Sequence, residues 1–287
     1  MTTNQYFGLS GISIPIEQFD LGNGVVFRKT YAKLFSPWLM GFSPAPIGKP
    51  TPTPWRAATG GDSIEITIEM EYSIQADETS AAIGERLELL LALMRLFYAP
   101  ALRASIKLNM PIAEAKRIEN PIIETYETDE VIFRIPNDGK LIQLEDLTWF
   151  RDNWAETVRL VMDSSALRTA LEVCDECRIR RRCSYSMLAV WGALEQLFVP
   201  SKTELRHRVA ANIATYLEER GQKRLDKYKE VLKLYDHRSS AAHSTKDIAL
   251  GHFVESWLLL RNSLLKIIVE KKVPQQRDFE VALFSQI

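Results

Sequence analysis

The feature that most constrains this chain is a change in the period of its apolar residues. Up to the turn-like "PNDGK" at 136–140, apolar and polar residues alternate, most clearly in "SIEITIEMEYSI" at 63–74. Beyond it they recur every three or four residues in long runs. A period of two buries one face of a strand, and a period near 3.6 buries one stripe of a helix. The pattern therefore predicts an α+β N-terminal domain over 1–140, of unknown specificity, followed by an all-α helical bundle over 147–287.

Within the first domain, "GVVFRKTY" at 24–31, the run at 63–74 and "DEVIFRIP" at 129–136 read as strands. Gly22 and Gly24 mark a turn. The proline-rich "FSPWLMGFSPAPIGKPTPTPW" is incompatible with a continuous helix and reads as a loop or wrapped arm. One helix, 79–98, interrupts the strands, with Ile83, Leu87, Leu90, Leu91 and Met94 on one stripe behind the capping candidates Asp77 and Thr79. The second domain is predicted to hold helices at 147–177, 184–199, 203–220, 225–243 and 248–271.

A net charge of −1 over 287 residues excludes wholesale electrostatic attraction to nucleic acid or membrane, but it conceals two unlike halves. Residues 1–146 carry 13 basic against 19 acidic side chains, a balance of −6, and residues 147–287 carry 23 against 18, a balance of +5. All four histidines (His207, His237, His243, His252) and all three cysteines (Cys174, Cys177, Cys183) fall in the basic half, so the chemistry is expected there. An odd, small cysteine count with one C-x-x-C pair is unlike a secreted disulfide framework and points to the reducing cytoplasm. The longest apolar stretch, "LELLLALMRLF", is interrupted by Arg95 and too short for a membrane span, and no export or membrane anchoring is expected.

The candidate site is "LYDHRSSAAHS", where Arg238 and His243 bracket four small residues, Ser239, Ser240, Ala241 and Ala242. Arginine can hold a phosphate with a planar, permanently charged fork, and imidazole can move protons near neutral pH. Five positions apart on a helix, the two point about 140° from each other and flank a stripe of Tyr228, Val231, Leu232, Tyr235, Ser239 and Ala242. An exposed Arg and a capping His at a helix end is the plainer alternative. Asp236 and His237 lie beside the motif, at positions that suit a cleft or a solvated edge equally, and Tyr235 is expected in the core, with a hydroxyl that reaches substrate as the alternative; Glu195, Ser239, Asp236 and Tyr235 are the supporting residues of the candidate site.

The stretch "KEVLKLYDHRSSAAHS" resembles the signature helix of HEPN domains, and in particular their Apea-like branch. Members of that superfamily carry an Arg, four to six residues, then a His on a helix within a helical bundle, and Arg238 and His243 match the four-residue spacing. The resemblance covers 147–272 and implies a metal-independent endoribonuclease, a hydrolase of prokaryotic defence or stress response, in which the ribose 2′-hydroxyl attacks the adjacent phosphate. It implies that Arg238 stabilises the charged transition state, that His243 transfers protons, and that two copies pair through this helix as a homodimer. RNA is the implied partner, a regulatory protein or ligand would act at the N-terminal domain, and no cofactor is implied. Glu195, four residues after Trp191 and three before Phe198, lies on the apolar face of its helix where a carboxylate needs a partner. Apea-like sequences have an acidic residue in that helix, and Arg238 is the partner it implies; a rim carboxylate turned to solvent is the other reading. Many active members have Asn, Asp or His directly after the Arg, where this chain has Ser239, so a catalytically silent HEPN module that binds RNA, nucleotide or a protein stays open.

"CDECRIRRRC" supplies two further candidates. Arg178, Arg180, Arg181 and Arg182 are a compact basic cluster for RNA phosphates, or a solvated turn pairing with Glu172, Asp175 and Glu176. Cys174, Cys177 and Cys183 fall short of a four-thiolate zinc site, and a zinc ion would need a fourth ligand such as His207, so no metal is expected. No glycine-rich phosphate loop, H-E-x-x-H or nucleophile elbow occurs.

Overall fold

The computed structural model describes residues 4–35, 40–41, 44–50, 56–57, 63–74, 79–127, 129, 131, 141–180, 182–199, 205–243 and 248–284. Among these the chain separates into two compact units. The first is drawn from Met1–Asp77, Leu102–Thr128 and Lys140–Leu147, and the second from Glu78–Ala101, Asp129–Gly139 and Thr148–Ile287.

The first unit is built on strands β1 (Asn4–Ser10), β2 (Gln18–Gly22), β3 (Val25–Phe35), β4 (Met40–Gly41), β5 (Arg56–Ala57) and β6 (Ser63–Ser73). To these are added β7 (Arg103–Leu108), β8 (Ile123–Thr125) and a single helical turn, α2 (Ile112–Ala115), which follows α1 (Ser80–Phe97) in the chain. Six strands form one antiparallel sheet in the order β2-β3-β6-β1-β7-β8, and β4 pairs with β5. The β2–β3 hairpin turns on Asn23 and Gly24, both with positive φ (52° and 80°), which suits the Asn-Gly pair. Gly8 sits at the centre of the sheet, where an added Cβ would come within 2.6 Å of the Ile106 side chain. The alternation at 63–73 buries Ile66, Ile68, Met70 and Tyr72. Glu69 is also buried and accepts the Ile112 N–H at 2.5 Å; burial pushes its carboxyl above the usual range.

The second unit contains α1, α3 (Leu144–Asp163) from Thr148 onward, α4 (Ser165–Glu176), α5 (Cys183–Phe198), α6 (Leu205–Leu217), α7 (Gln222–His243), α8 (Leu250–Glu270) and α9 (Gln276–Phe284). Helix α1, expected as part of the N-terminal domain, belongs instead to this unit. The reason is visible in its side chains. Leu87, Leu89, Leu90, Leu91, Leu93 and Met94 are all buried, a wider apolar surface than one stripe, and Arg95 forms a 2.8 Å ion pair with Asp175 of α4. Arg261 of α8 donates to the last-turn carbonyls of Leu96 and Phe97, at 2.8 and 3.2 Å, so the C-terminus of α1 is capped from within the bundle.

Two further expectations are corrected. The single helix expected at 147–177 is two, because Ser164 leaves the helix (φ −128°, ψ 104°) and its Oγ accepts the Leu167 N–H as the cap of α4. An unexpected helix, α9, starts where the Asp278 carboxylate accepts the Gln275 N–H at 2.8 Å, and it buries Phe279 against Phe198. Of the strand expected at 129–136 only Asp129 and Val131 are among the described residues, neither in a strand, and "PNDGK" lies outside them. No helix among the described residues is long and apolar enough to cross a membrane.

Candidate functional site

Helix α7 is polar over its first two turns and turns inward from Val231. Val231, Leu234, Tyr235 and Ala241 are buried, and Arg238 lies on the same line, at i+7 from Val231 and i−3 from Ala241. This rotates the expected stripe. Ala242 is exposed and Ala241 makes the last-turn contact, so Arg238 belongs to the packed face and does not merely flank it. The predicted stripe used Ser239 and Ala242, because the small residues after Arg238 carry no hydrophobic signal that fixes their phase.

A carboxylate of α5 explains how an arginine occupies such a place. Glu195 Oε1 stands 3.5 Å from Arg238 Nη2 and accepts the Tyr235 hydroxyl at 3.1 Å, while the Arg238 guanidinium carbon lies 5.5 Å from the centre of the Tyr235 ring. Tyr235 packs edge-on against Trp191 at 5.1 Å, and the Trp191 N–H is bonded to Ser256 of α8 at 3.2 Å. Burial first, and then the Glu195 charge, push the Tyr235 phenol upward, so it keeps its proton and acts as a donor. The Arg238 side chain remains 28% exposed, and its buried Nε–H has no acceptor among the described residues. The arrangement is a guanidinium held by one carboxylate edge and an aromatic face, with donors left over for an anion.

The remaining motif residues divide. His243 is the last residue of α7, one and a half turns beyond Arg238; its side chain lies outside what the structure describes. Ser239 is half-buried beside Arg238. Asp236 is turned elsewhere: both of its oxygens pair with Arg206 of α6 at 2.8 Å, which holds its carboxyl below the usual range, and it takes no part in the Glu195–Arg238 cluster. His237, by contrast, stacks on His252 of α8, with ring centres 3.7 Å apart and planes 14° from parallel. Burial, then the neighbouring His252 and Lys233, lower its pKa. Neither the Arg206–Asp236 pair nor the histidine stack carries a spacing signal in the sequence, because each joins separate helices.

The basic cluster is also divided by the fold. Arg178 is buried, bonded to Asp175 at 2.8 Å and to the Pro100 carbonyl at 3.4 Å, and so is withdrawn from any RNA-facing set. Its carboxylate partner is shared with Arg95, an internal tie between α1 and α4. Arg180 pairs with Glu176 at the surface, Arg182 lies 5.5 Å from the Tyr185 ring, and Arg181 falls outside the described residues. Cys174, Cys177 and Cys183 are buried free thiols. Burial raises the Cys174 thiol well above its ordinary pKa and that of Cys177 to about 11, so both are held as neutral thiols in the fold. His207 is engaged at 2.9 Å with the Tyr228 hydroxyl, and no group of three or more metal-ligating side chains occurs among the described residues.

Compared with protein-family models, with curated proteins and with solved structures, the chain finds no match in any of the three.

Proposed function

We propose that the helical unit is an endoribonuclease of the HEPN type whose chemistry is carried by Arg238 and His243. The observation that carries this reading is the Glu195–Arg238–Tyr235 cluster. An arginine drawn into the packed face of a helix, oriented by a carboxylate and still 28% exposed, is suited to grip a phosphate and poorly suited to serve as a solvated surface charge. In the proposed reaction the 2′-hydroxyl of a ribose loses its proton, its oxygen bonds to the adjacent phosphorus, and the bond from phosphorus to the 5′-oxygen breaks. A 2′,3′-cyclic phosphate and a 5′-hydroxyl remain. His243 serves the proton transfers and Arg238 neutralises the charge that grows on the phosphoryl oxygens.

One subunit places positions 238 and 243 about 140° apart on α7, and a homodimer pairing through this helix would bring the Arg of one copy toward the His of the other. The N-terminal unit would then regulate or target the nuclease, in the cytoplasm of a prokaryotic cell. Ser239 directly after Arg238 favours a second reading, a HEPN module that binds RNA, nucleotide or a protein without cutting. Incubating the full-length protein with total RNA and analysing the new ends separates the two. Cyclic phosphate ends that disappear in His243→Ala support the nuclease, and intact RNA at every protein concentration supports the binding module.

A further inference from the structure

Helix α5 buries one side, through residues such as Met187, Val190, Trp191 and Leu194, and leaves a continuous outer line uncovered. Tyr185, Leu188, Ala189, Gly192 and Glu195 follow one another at i, i+3, i+4, i+7 and i+10, and each is exposed or half-exposed. At one end, Tyr185 is 61% exposed, unusual for an aromatic ring, with the Arg182 guanidinium 5.5 Å from its centre and Nη1 3.4 Å from its hydroxyl. Arg182 has no carboxylate partner among the described residues. In the middle the surface is low: a Cβ built on Gly192 meets nothing within 4 Å. At the other end Glu195 orients Arg238. The ten residues from Tyr185 to Glu195 span about 15 Å of helix.

We infer that this outer face of α5 is a track for single-stranded RNA: a base stacks on Tyr185, Arg182 holds a neighbouring phosphate, and the strand passes over Ala189 and Gly192 to Arg238. The inference rests on the ribonuclease reading and adds where the substrate lies. An exposed aromatic beside a guanidinium that has no carboxylate partner is a combination that binds single strands without regard to sequence, since every base has a π-face and every nucleotide a phosphate. Tyr185 and the half-exposed Leu188 are the only large apolar side chains on the line, too few for the apolar centre of a protein interface, and the Arg182 guanidinium beside the ring adds a charge suited to phosphate.

The test uses the full-length protein and a short fluorescein-labelled single-stranded RNA with 2′-O-methyl riboses, which removes the attacking hydroxyl, read by anisotropy over a range of salt. Tyr185→Ala is expected to weaken binding roughly tenfold, the loss of one stacked base. Arg182→Ala should lower the salt slope by about one. Gly192→Leu should weaken binding by obstruction while circular dichroism and melting show an intact bundle, because the site is open and leucine suits a helix better than glycine. Wild-type affinity in all three variants, or no binding by the wild type, overturns the track whether or not the protein cuts RNA. If Gly192→Leu changes only the sedimentation of the protein, the face joins two copies and the track is equally overturned. Weakened binding in the variants, with no cleavage of unmodified RNA by the wild type, upholds the track and rejects the nuclease reading.

Discussion

Glu195 on α5 stands 3.5 Å from Arg238 on α7, with the Tyr235 hydroxyl bonded to the same carboxylate oxygen. One carboxylate oxygen thus faces two side chains of the neighbouring helix, as hydrogen-bond acceptor to Tyr235 and as ion-pair partner to Arg238. A guanidinium with long, flexible torsions is ordered before any phosphate arrives, which lowers the entropic cost of gripping it.

Removing that support is expected to reduce cleavage without unfolding the protein. Glu195→Ala should lower kcat by about tenfold to a hundredfold, the scale of a misplaced catalytic group. Glu195→Gln, which can still accept from Tyr235, should recover part of the loss. Steady-state kinetics that show equal losses in both variants, accompanied by equal losses of thermal stability, would reduce Glu195 to a packing role.

Asp175 is the carboxylate shared by two buried arginines, Arg95 and Arg178. Asp175→Ala leaves both without it and is expected to cost about 3–5 kcal/mol, the penalty of breaking a buried pair from one side. For a unit of this size that is a fall in Tm of roughly 10 °C. A Tm within about 2 °C of wild type would mean that the arginines find compensating partners and that the tie between α1 and α4 is weak.

The His237–His252 stack makes stability depend on mild acid. His237 is held below its ordinary value near 6.5, first by burial, then by His252 and Lys233, against the opposing pull of Glu255 and Asp236. The folded state therefore binds its proton less readily than the unfolded chain. The stabilising contribution is fully present above about pH 6.5 and is lost as pH falls through 6.5 toward the folded value. Melting followed between about pH 7.5 and 5.5 should show a fall in the wild type that is smaller in His237→Gln. Identical slopes in the two proteins would contradict this account of the joint between α7 and α8.

The parts of this molecule legible in its sequence are those written in hydrophobic period. The alternation at 63–74 became β6 and the three-and-four spacing became α5 to α8, with ends displaced by a few residues. Glu195 could be singled out because a carboxylate between Trp191 and Phe198 breaks an apolar pattern. What escaped was set by contacts between distant segments. Strand β1 sits between β6 and β7 in the sheet although it begins the chain, and no local pattern announces that order. The strands on either side of α1 in the sequence suggest the N-terminal domain for it, whereas its partners are α4 and α8. Arg178 is one of four arginines close together in the sequence, and only the fold shows that it turns inward to Asp175.

The central claim, that Arg238 and His243 cut RNA with no metal ion, is tested most directly by incubating the wild-type protein, Arg238→Ala and His243→Ala with unmodified single-stranded RNA in excess EDTA. Fragments are counted, and circular dichroism checks that each protein is folded. Cyclic phosphate ends are expected from the wild type at a rate unaffected by chelator, with a loss on the order of a hundredfold or more in each variant. Cleavage abolished by EDTA, or cleavage that persists at the wild-type rate in both folded variants, would contradict it.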